Sequence, residues 1–238
     1  MDLTASFLSS VSEQMHAGPL TPSALARAAT ELLPVDAAGI STLLELLRLP
    51  LGASSEAART AEELQTSIGE GPCLAAAVTK TTRVADHAEL TTRWPVYGEE
   101  LVRQTPFRSA ASVPLSTADG TVFAALDLYA TDDHLSQRLD LEAVDRHIAG
   151  PAAALLSICM GEVRDLDLDG AMPAWYGPAT GRRHQVWIAT GMLVGRRRQP
   201  SSDALSLLRA HAYALGCGLD DLADALVSGR VTLDDLEP

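Results

Sequence analysis

The sequence predicts an α+β domain with a mainly antiparallel sheet, followed by a small bundle of three helices. Three observations lead to this prediction. Helical and β-like patterns alternate over the first part of the chain. Three short apolar stripes at helical spacing follow nearer the C-terminus, and an acidic, then Gly- and Pro-rich stretch lies between the two parts. The predicted boundaries are 1–160 for the first domain, 161–181 for a linker, 182–231 for the bundle and 232–238 for an acidic tail.

The first domain begins with two predicted helices. Apolar residues recur at helical spacing over 3–15. Thr21 and Pro22 open a second helix, because threonine is a frequent N-cap and proline suits the first helical position. The segments that follow are two β-like runs over 36–44 and 46–51 and a short helix over 56–64.

A tight turn and a hairpin mark the second half of this domain. Gly69, Gly71 and Pro72 form a turn that leads into a helix. Asp119-Gly120 lies between two alternating segments, which is a strong hairpin signal. The predicted elements are a helix from Pro72, a strand over 82–86, a helix through Tyr97 and Leu101, strands over 107–115 and 121–129, and a long amphipathic helix over 139–156.

Three apolar stripes define the predicted bundle. Each stripe is too narrow to be stable alone, so the three helices must bury one another. The breaks fall at Arg198-Gln199-Pro200 and at Gly216-Cys217-Gly218, since proline and glycine end helices. The stripes are Val186, Ala189, Leu193 and Val194; then Ala204, Leu207, Leu208, Ala212 and Leu215; then Leu219, Leu222, Ala223 and Leu226.

Charge is distributed unevenly along the chain. The 238 residues carry a formal charge of −13, yet the segment 182–230 has seven arginines against four aspartates. The excess of negative charge therefore lies in the first domain, the linker and the acidic tail. An arginine-rich module on an acidic carrier indicates that the module binds a polyanion.

Composition also bounds the compartment of the protein. Lys80 is the only lysine, and together with abundant alanine this indicates a GC-rich bacterial genome. Cys73, Cys159 and Cys217 are odd in number and far apart, so no disulfide framework is predicted. The N-terminus has no signal-peptide pattern, and no apolar run is long enough for a membrane span. We therefore expect a cytoplasmic protein with no membrane partner.

Four short motifs, taken in order, carry a resemblance to a known family. They are Gly69-Glu70-Gly71-Pro72-Cys73, Arg93-Trp94-Pro95, Ser112-Val113-Pro114-Leu115 and Leu126-Asp127-Leu128-Tyr129. With these motifs the chain resembles GAF domains over residues 3–158, and more narrowly the GAF domains that precede ANTAR modules in actinobacteria. The resemblance implies a domain that senses a small molecule or forms a dimer.

The predicted bundle resembles the ANTAR domain, an RNA-binding module of bacterial antitermination regulators. That family has an Arg-x-x-Ile-x-x-Ala-Lys-Gly-x-Leu-Met helix, a break, an Ala-x-x-Leu-Leu-Arg helix and a Leu-x-x-Val-Ala helix. Thr190 stands where the family usually has lysine, which removes a phosphate-seeking charge, and Val194 stands where it usually has methionine. The matching residues are Arg183, Val186, Ala189, Gly191 and Leu193; Ala204, Leu207, Leu208 and Arg209; and Leu219, Leu222 and Ala223.

Arginine and aromatic side chains on the bundle are the candidate RNA contacts. Guanidinium groups bind phosphates, and aromatic rings stack on unpaired bases. Two alternatives stay open. An arginine run is often a solvated face that complements a helix C-terminus, and Trp187 equally fits the bundle core or a dimer contact. The candidates are Arg183, Trp187, Thr190, Arg196, Arg197, Arg198, Arg209 and Tyr213.

The elements that frame a GAF pocket supply a second set of candidates. Cys73 is predicted at a helix N-terminus, where the dipole lowers the pKa of a thiol and favours redox reactivity. The alternative is that Cys73 is a small buried apolar residue and that the aromatic rings only fill the core. The candidate ligand-binding residues are Cys73, Trp94, Tyr97, Ser109, Asp127 and Tyr129.

No catalytic or metal-binding pattern is recognisable in the sequence. The six histidines are scattered singly, and Gly69-x-Gly71 lacks the third glycine of a dinucleotide-binding loop. We therefore expect no metal, no cofactor and no enzymatic activity.

The resemblance implies an RNA-binding regulator of transcription antitermination. In this interpretation the GAF domain senses a signal or holds a homodimer through the helix over 139–156, and the bundle binds hairpin loops in nascent transcripts. A possible small-molecule ligand would occupy the GAF domain. Two rival interpretations remain: a sensor or scaffold with a degenerate ANTAR module, and a thiol redox enzyme that uses Cys73.

Overall fold

The computed structural model describes residues 2–16, 18–44, 47–164 and 178–236. These residues belong to two compact units. The first includes 2–66 and 70–164, and the second includes 178–236 together with 67–69. Residues 165–177, which form most of the predicted linker, lie outside the described residues.

The first unit follows the predicted alternation of helices and strands. Thr21 caps the second helix as predicted, since its hydroxyl oxygen accepts from the backbone N–H of Ala24 at 3.1 Å. The elements are α1 Leu3–Met15, α2 Pro22–Leu32, β1 Ala37–Leu44, β2 Leu47–Ala53, α3 Glu56–Ile68, α4 Pro72–Thr79, β3 Arg83–Ala85, α5 His87–Arg93, α6 Pro95–Gln104, β4 Ser109–Ser116, β5 Val122–Ala130, α7 Leu135–Arg138, α8 Leu141–Val144, a π-helical turn Asp145–Ala149, and α9 Gly150–Arg164.

The described strands form a five-stranded antiparallel sheet in the order β2-β1-β5-β4-β3. The hairpin predicted at Asp119-Gly120 is confirmed. It joins β4 to β5, and Gly120 adopts a φ of 81°, a left-handed conformation that favours glycine. Strand β5 pairs with β1 on one side and with β4 on the other. Asp127 of β5 therefore lies opposite Gly39 of β1 and opposite Ser112 of β4.

The two faces of the sheet differ in chemistry because side chains alternate along β5. Leu126 and Leu128 belong to the apolar core, which also includes buried residues of α1, α2 and α9. Asp127 and Tyr129 are equally buried, but they lie on the opposite face. One face of the sheet thus carries the hydrophobic core, and the other carries buried polar side chains.

The segment over 139–156 is helical from Leu141 onward and contains a π-helical turn, and its apolar stripe packs within its own chain. The π-helical turn interrupts it, and Val144, Ile148, Ala152 and Leu156 are buried in the apolar core of their own chain. The proposed dimer element is therefore corrected, because its amphipathic face is already used against the sheet.

The second unit is a three-helix bundle, as predicted. Its helices are α10 Pro178–Arg197, α11 Ser201–Ala214 and α12 Leu219–Val227, followed by a 3₁₀ turn Leu233–Leu236. The first helix begins at Pro178, four residues before the predicted start of the bundle. The buried core residues are Val186, Ala189, Leu193, Ala204, Leu205, Leu208, Ala212, Leu219, Leu222, Ala223 and Leu226.

Leu215 is the exposed member of the predicted stripes, since its side chain is 63% exposed, whereas Val194 and Leu207 are half-buried. The second helix ends at Ala214, and the chain then turns at Gly216, whose φ is +63°. The backbone N–H of Cys217 bonds back to the carbonyl of Ala212 at 3.0 Å, which completes a glycine-dependent helix terminus. Among the described residues, no helix is both long and apolar enough to cross a membrane.

Candidate functional site

The polar side of the GAF-like sheet is organised around one buried arginine. Arg48 lies on β2, and its side chain is almost completely buried. Its Nη2 atom forms ion pairs with Glu62, at 2.6 Å, and with Asp127. Its Nη1 donates to the backbone carbonyl of Glu62 at 2.8 Å, and its Nε donates to the Sγ of Cys73 at 3.0 Å. All three guanidinium nitrogens are therefore used inside the protein.

Glu62 reaches this position because α3 turns a partly polar stripe toward the sheet. Ala58, Ala61, Glu62 and Gln65 fall at the i, i+3, i+4 and i+7 positions of one helix face, and all four are buried. The Glu62 carboxylate lies directly against Gly39 of β1, where an added Cβ would overlap the carboxylate atoms. The close approach of α3 to the sheet thus requires glycine at position 39.

Further hydrogen bonds hold both carboxylate oxygens of Glu62 in place. The hydroxyl of Tyr129 donates to Oε1 of Glu62 at 2.6 Å, and the hydroxyl of Ser41 donates to Oε2. Gln65 connects two elements, since its Nε2 donates to the Tyr129 hydroxyl at 3.2 Å and its Oε1 accepts from the backbone N–H of Cys73 at 3.1 Å. We call Arg48, Glu62, Cys73, Asp127 and Tyr129 the Arg48 cluster.

The Arg48 cluster contains one permanent cation and two carboxyl groups. Burial by itself lowers the pKa of Arg48, but the surrounding acidic groups raise this pKa well above its ordinary value, so the guanidinium stays charged. Burial raises the pKa of Glu62 to about 7, Arg48 opposes the rise, and the nearby Asp127 adds to it. The cluster can therefore gain or lose a proton at Glu62 near neutral pH.

Three buried polar atoms beside this cluster have no hydrogen-bond partner among the described residues. They are the hydroxyls of Tyr97 and Ser112 and the Oδ1 atom of Asp127. Burial, and then Asp127, raise the pKa of Tyr97 well above its ordinary value, so this phenol stays protonated. Within the described ranges, no group of three His, Cys, Asp or Glu side chains is placed to hold a metal ion.

The structure brings together only part of the predicted ligand-binding set. Cys73, Asp127 and Tyr129 are members of the Arg48 cluster. Ser109 is not, because its hydroxyl donates to the backbone carbonyl of Asp132 at 2.7 Å at the end of β4. Trp94 lies between α5 and α6 and is only half-buried.

Of the two interpretations of Cys73, the structure favours a buried residue over a thiol with a lowered pKa. Cys73 is the second residue of α4, but it is completely buried. Burial raises the pKa of the Cys73 thiol well above its ordinary value, and Arg48 does not offset this effect. The thiol is therefore protonated at neutral pH and shielded from solvent.

Sequence reasoning missed Arg48 and Glu62, the two residues on which the cluster depends. A signal for Glu62 was present: the stripe of α3 places Glu62 and Gln65 on the same face as Ala58 and Ala61. For Arg48 the signal was a single charge within an apolar strand, Leu47–Ala53. Neither signal reveals that the two residues meet, since they lie 14 positions apart on different elements.

The predicted RNA contacts lie on the second unit and differ in exposure. Trp187 on α10 is 41% exposed and Tyr213 on α11 is 71% exposed. Thr190 is 5% exposed, and its hydroxyl donates to the backbone carbonyl of Val186 at 2.6 Å, so it does not share the open surface of Trp187. Arg209 is half-buried on α11. The side chain of Arg183 lies outside the described residues.

The three successive arginines at the end of α10 have different environments. Arg196 pairs with Asp234 at 2.8 Å, and Arg197 donates from Nη2 to the backbone carbonyl of Leu236 at 3.0 Å. Arg198 is exposed and adopts a φ of 53°, which few residues other than glycine adopt. The arginine run is therefore only partly a solvated face.

The first prediction concerns the buried cation. Arg48→Met should destabilise the protein by about 3–5 kcal/mol, because it leaves two buried carboxyl groups without their cation. Arg59→Met removes a partly exposed arginine that pairs with Glu56 and Glu63 on α3, and should cost less than about 1 kcal/mol. Denaturant unfolding of the variants measures both effects.

Neutralising the partners of Arg48 provides the control. Adding Glu62→Gln and Asp127→Asn to Arg48→Met should recover part of the lost stability, because no unpaired charge then remains. Equal costs for Arg48→Met and Arg59→Met would contradict the role assigned to the cluster.

The second prediction follows from the raised pKa of Glu62. The folded state holds the Glu62 proton up to about pH 7, whereas the unfolded chain releases it near the ordinary value of 4.5. Raising the pH through this window should therefore reduce the free energy of unfolding, by an amount on the order of 3 kcal/mol. Unfolding of the wild-type protein and of Glu62→Gln between pH 5 and 8 isolates this effect as a difference. A difference that does not change with pH would contradict it.

The third prediction concerns thiol reactivity. In the native protein only Cys217 should react rapidly with a thiol reagent, because Cys73 and Cys159 are buried. Cys217→Ser should abolish the rapid phase, and unfolding should expose the remaining thiols. Rapid modification of Cys73 in the folded protein, located by peptide mapping, would restore the redox interpretation.

Comparison with known proteins agrees with the architecture of the first unit. A sequence model of the GAF domain matches residues 23–156, which is more than half of the chain. No curated protein sequence matches this chain. Solved structures with a similar fold include the GAF domain of a phosphoenolpyruvate-protein phosphotransferase from Coxiella burnetii, with 14% identity, 69% of this chain and 96% of that chain covered, and a TM-score of 0.49.

Two further structures show the same likeness at low identity. The type II free methionine-R-sulfoxide reductase from Thermoplasma acidophilum has 16% identity, covers 66% of this chain and 96% of its own, and has a TM-score of 0.42. The nlh2 GAF domain of A. aeolicus in an inactive state has 10% identity, covers 66% of this chain and 99% of its own, and has a TM-score of 0.45. By the family model matched over residues 23–156, the chain belongs to the GAF domain family, whose fold serves signal sensing and dimerisation.

Proposed function

We propose that this protein is an RNA-binding regulator of transcription antitermination in the bacterial cytoplasm. The GAF domain senses a signal or holds a homodimer, and the three-helix bundle binds hairpin loops in nascent RNA. The resemblance of the bundle to ANTAR domains supports this proposal. All but one of its apolar matching side chains are buried inside the bundle, and Leu207 is half-buried; the buried ones are Val186, Ala189, Leu193, Ala204, Leu208, Leu219, Leu222 and Ala223.

The observation that carries the proposal is the exposure of large aromatic side chains on an arginine-rich bundle. Trp187 and Tyr213 are both substantially exposed. An exposed aromatic ring can stack on an unpaired base, and each stacked base contributes roughly 1–3 kcal/mol to the binding free energy. Arg209 lies one turn before Tyr213 on α11.

The backbone conformation of Arg198 adds support. A left-handed conformation costs a residue with a side chain roughly 1–2 kcal/mol relative to glycine. Glycine would end α10 at this position without that cost. Strained positions of this kind are frequent at functional sites, and the arginine here is exposed at the end of the helix.

A homodimer remains part of the proposal. Two tethered bundles bind an RNA with two hairpins more tightly than one bundle does, because the second contact forms at high effective concentration. The dimer contact must lie outside the apolar stripe of 139–156, which packs in the core of its own chain.

The fourth prediction tests the stacking role of Tyr213. Tyr213→Ala should weaken binding to a two-hairpin RNA by roughly 5- to 150-fold, the equivalent of one lost base stack. Leu215→Ala is the matched control: it removes an exposed apolar side chain two residues away and has no ring to stack. Fluorescence anisotropy at low salt, with a scrambled RNA alongside, measures the dissociation constants.

The contribution of phosphate contacts is measured in the same titrations. Arg198→Gln should reduce the dependence of log Kd on log salt by about one unit. Arg230→Gln removes a positive charge from an arginine that already pairs with Asp224, and should change this dependence less. No binding by the folded wild-type protein at low salt, or equal losses in Tyr213→Ala and Leu215→Ala, would contradict the proposal and favour a sensor or scaffold.

A further inference from the structure

The acidic C-terminal segment folds back onto the arginines at the end of α10. After α12 the chain forms the 3₁₀ turn Leu233–Leu236, and the side chain of Leu236 is buried. A buried leucine anchors this short turn on the bundle, since the hydrophobic effect favours its removal from water. The acidic residues beside it are therefore held at the surface of the folded bundle.

Two of the three successive arginines contact this segment. Arg196 pairs with Asp234 at 2.8 Å, and Arg197 donates to the backbone carbonyl of Leu236 at 3.0 Å. A carboxylate and a carbonyl oxygen thus occupy donors that would otherwise be available to phosphate oxygens. Among the described residues, Arg198 forms no hydrogen bond or ion pair with this segment.

The turn has its own internal support. The Asp235 carboxylate accepts from the backbone N–H and from the hydroxyl of Thr232, both at 2.7 Å. Asp235 therefore shapes the turn, whereas Asp234 is the carboxylate that faces Arg196. The two neighbouring aspartates have separate roles, which allows one of them to be replaced without loss of the turn.

We propose that the segment 232–236 is an intramolecular competitor that occupies Arg196 and Arg197 and must be displaced for RNA phosphate to bind there. This inference rests on the proposed RNA-binding function. Displacement is feasible because Arg196 and Asp234 are 60% and 71% exposed, and exposed ion pairs are weak. The segment therefore reduces RNA affinity by a few-fold and raises selectivity for RNAs that offer enough phosphate contacts to displace it.

The fifth prediction compares two variants that remove the same charge. Asp234→Asn should tighten binding of the two-hairpin RNA by about two- to five-fold at low salt, the range expected from the loss of one exposed ion pair. Asp203→Asn is the control, because Asp203 is an exposed aspartate of the same bundle that lies in the first turn of α11. If only net charge mattered, the two variants would bind equally.

A second measurement follows the segment directly in the full-length protein. The backbone N–H of Asp235 bonds to the carbonyl of Thr232 at 3.2 Å, so the folded turn should protect this amide from hydrogen exchange. Saturation with the two-hairpin RNA should increase exchange over 232–236, because RNA displaces the turn. Unchanged exchange in the saturated complex would overturn the inference even if RNA binds tightly.

The outcomes separate this inference from the function on which it rests. If neither the wild-type protein nor Asp234→Asn binds RNA, the function and the inference both fail. If the wild-type protein binds and Asp234→Asn equals Asp203→Asn, only the inference fails. If the wild-type protein binds and Asp234→Asn binds more tightly than both the wild-type protein and Asp203→Asn, the function and the competitor role are both supported.

Discussion

The buried guanidinium of Arg48 holds together the elements that pack on the polar face of the GAF sheet. It connects β2 to α3 through Glu62, to β5 through Asp127 and to α4 through Cys73. Each contact satisfies a polar group that would otherwise be desolvated without a partner, at a cost of about 1–3 kcal/mol or more for a charged group. The arrangement is therefore interdependent, since removal of one member leaves the others unpaired in a low-dielectric interior.

This dependence explains why the two faces of one sheet are so different. On one face, Leu126 and Leu128 pack with the outer helices, and shape and volume are sufficient to specify the packing. On the other face, direction matters, because a guanidinium, two carboxyl groups and a phenol must meet at hydrogen-bonding distance. A buried polar network of this kind specifies one arrangement of α3 and α4 against the sheet more strictly than apolar contacts do. The excess of carboxyl groups over cations also makes that arrangement sensitive to protons near neutral pH.

The helical bundle divides its residues differently. Its apolar side chains form a compact interior, while Trp187 and Tyr213 remain exposed and the arginines at the end of α10 meet the acidic end of the chain. Exposed rings and weakly paired guanidinium groups contribute little to the stability of the bundle. In the proposed function the rings stack on unpaired RNA bases and the guanidinium groups bind phosphates. The proposed RNA-binding surface thus lies on the bundle, and the buried polar network lies inside the GAF domain.

Much of the fold could be predicted from local patterns. Thr21-Pro22 and Asp119-Gly120 determine a helix start and a hairpin through backbone chemistry that needs no distant contact. The apolar stripes of the bundle were recognisable for the same reason, apart from Leu215, which lies beyond the end of its helix. The position of the strands in the sheet was not recognisable, because β1 pairs with β5 across most of the domain.

The candidate site shows where local patterns stop being informative. The resemblance to GAF domains pointed to Asp127 and Tyr129 as polar residues of a strand that frames the pocket, and Cys73 was placed at the start of its helix. Of the two interpretations of Cys73, the structure favours the buried apolar residue, since desolvation in the folded core outweighs the helix dipole that the sequence reveals. Arg48 and Glu62 were not among the predicted site residues. Their burial arises only when the sheet and α3 close around them, because the energy that makes a buried charge tolerable is the charge on another element.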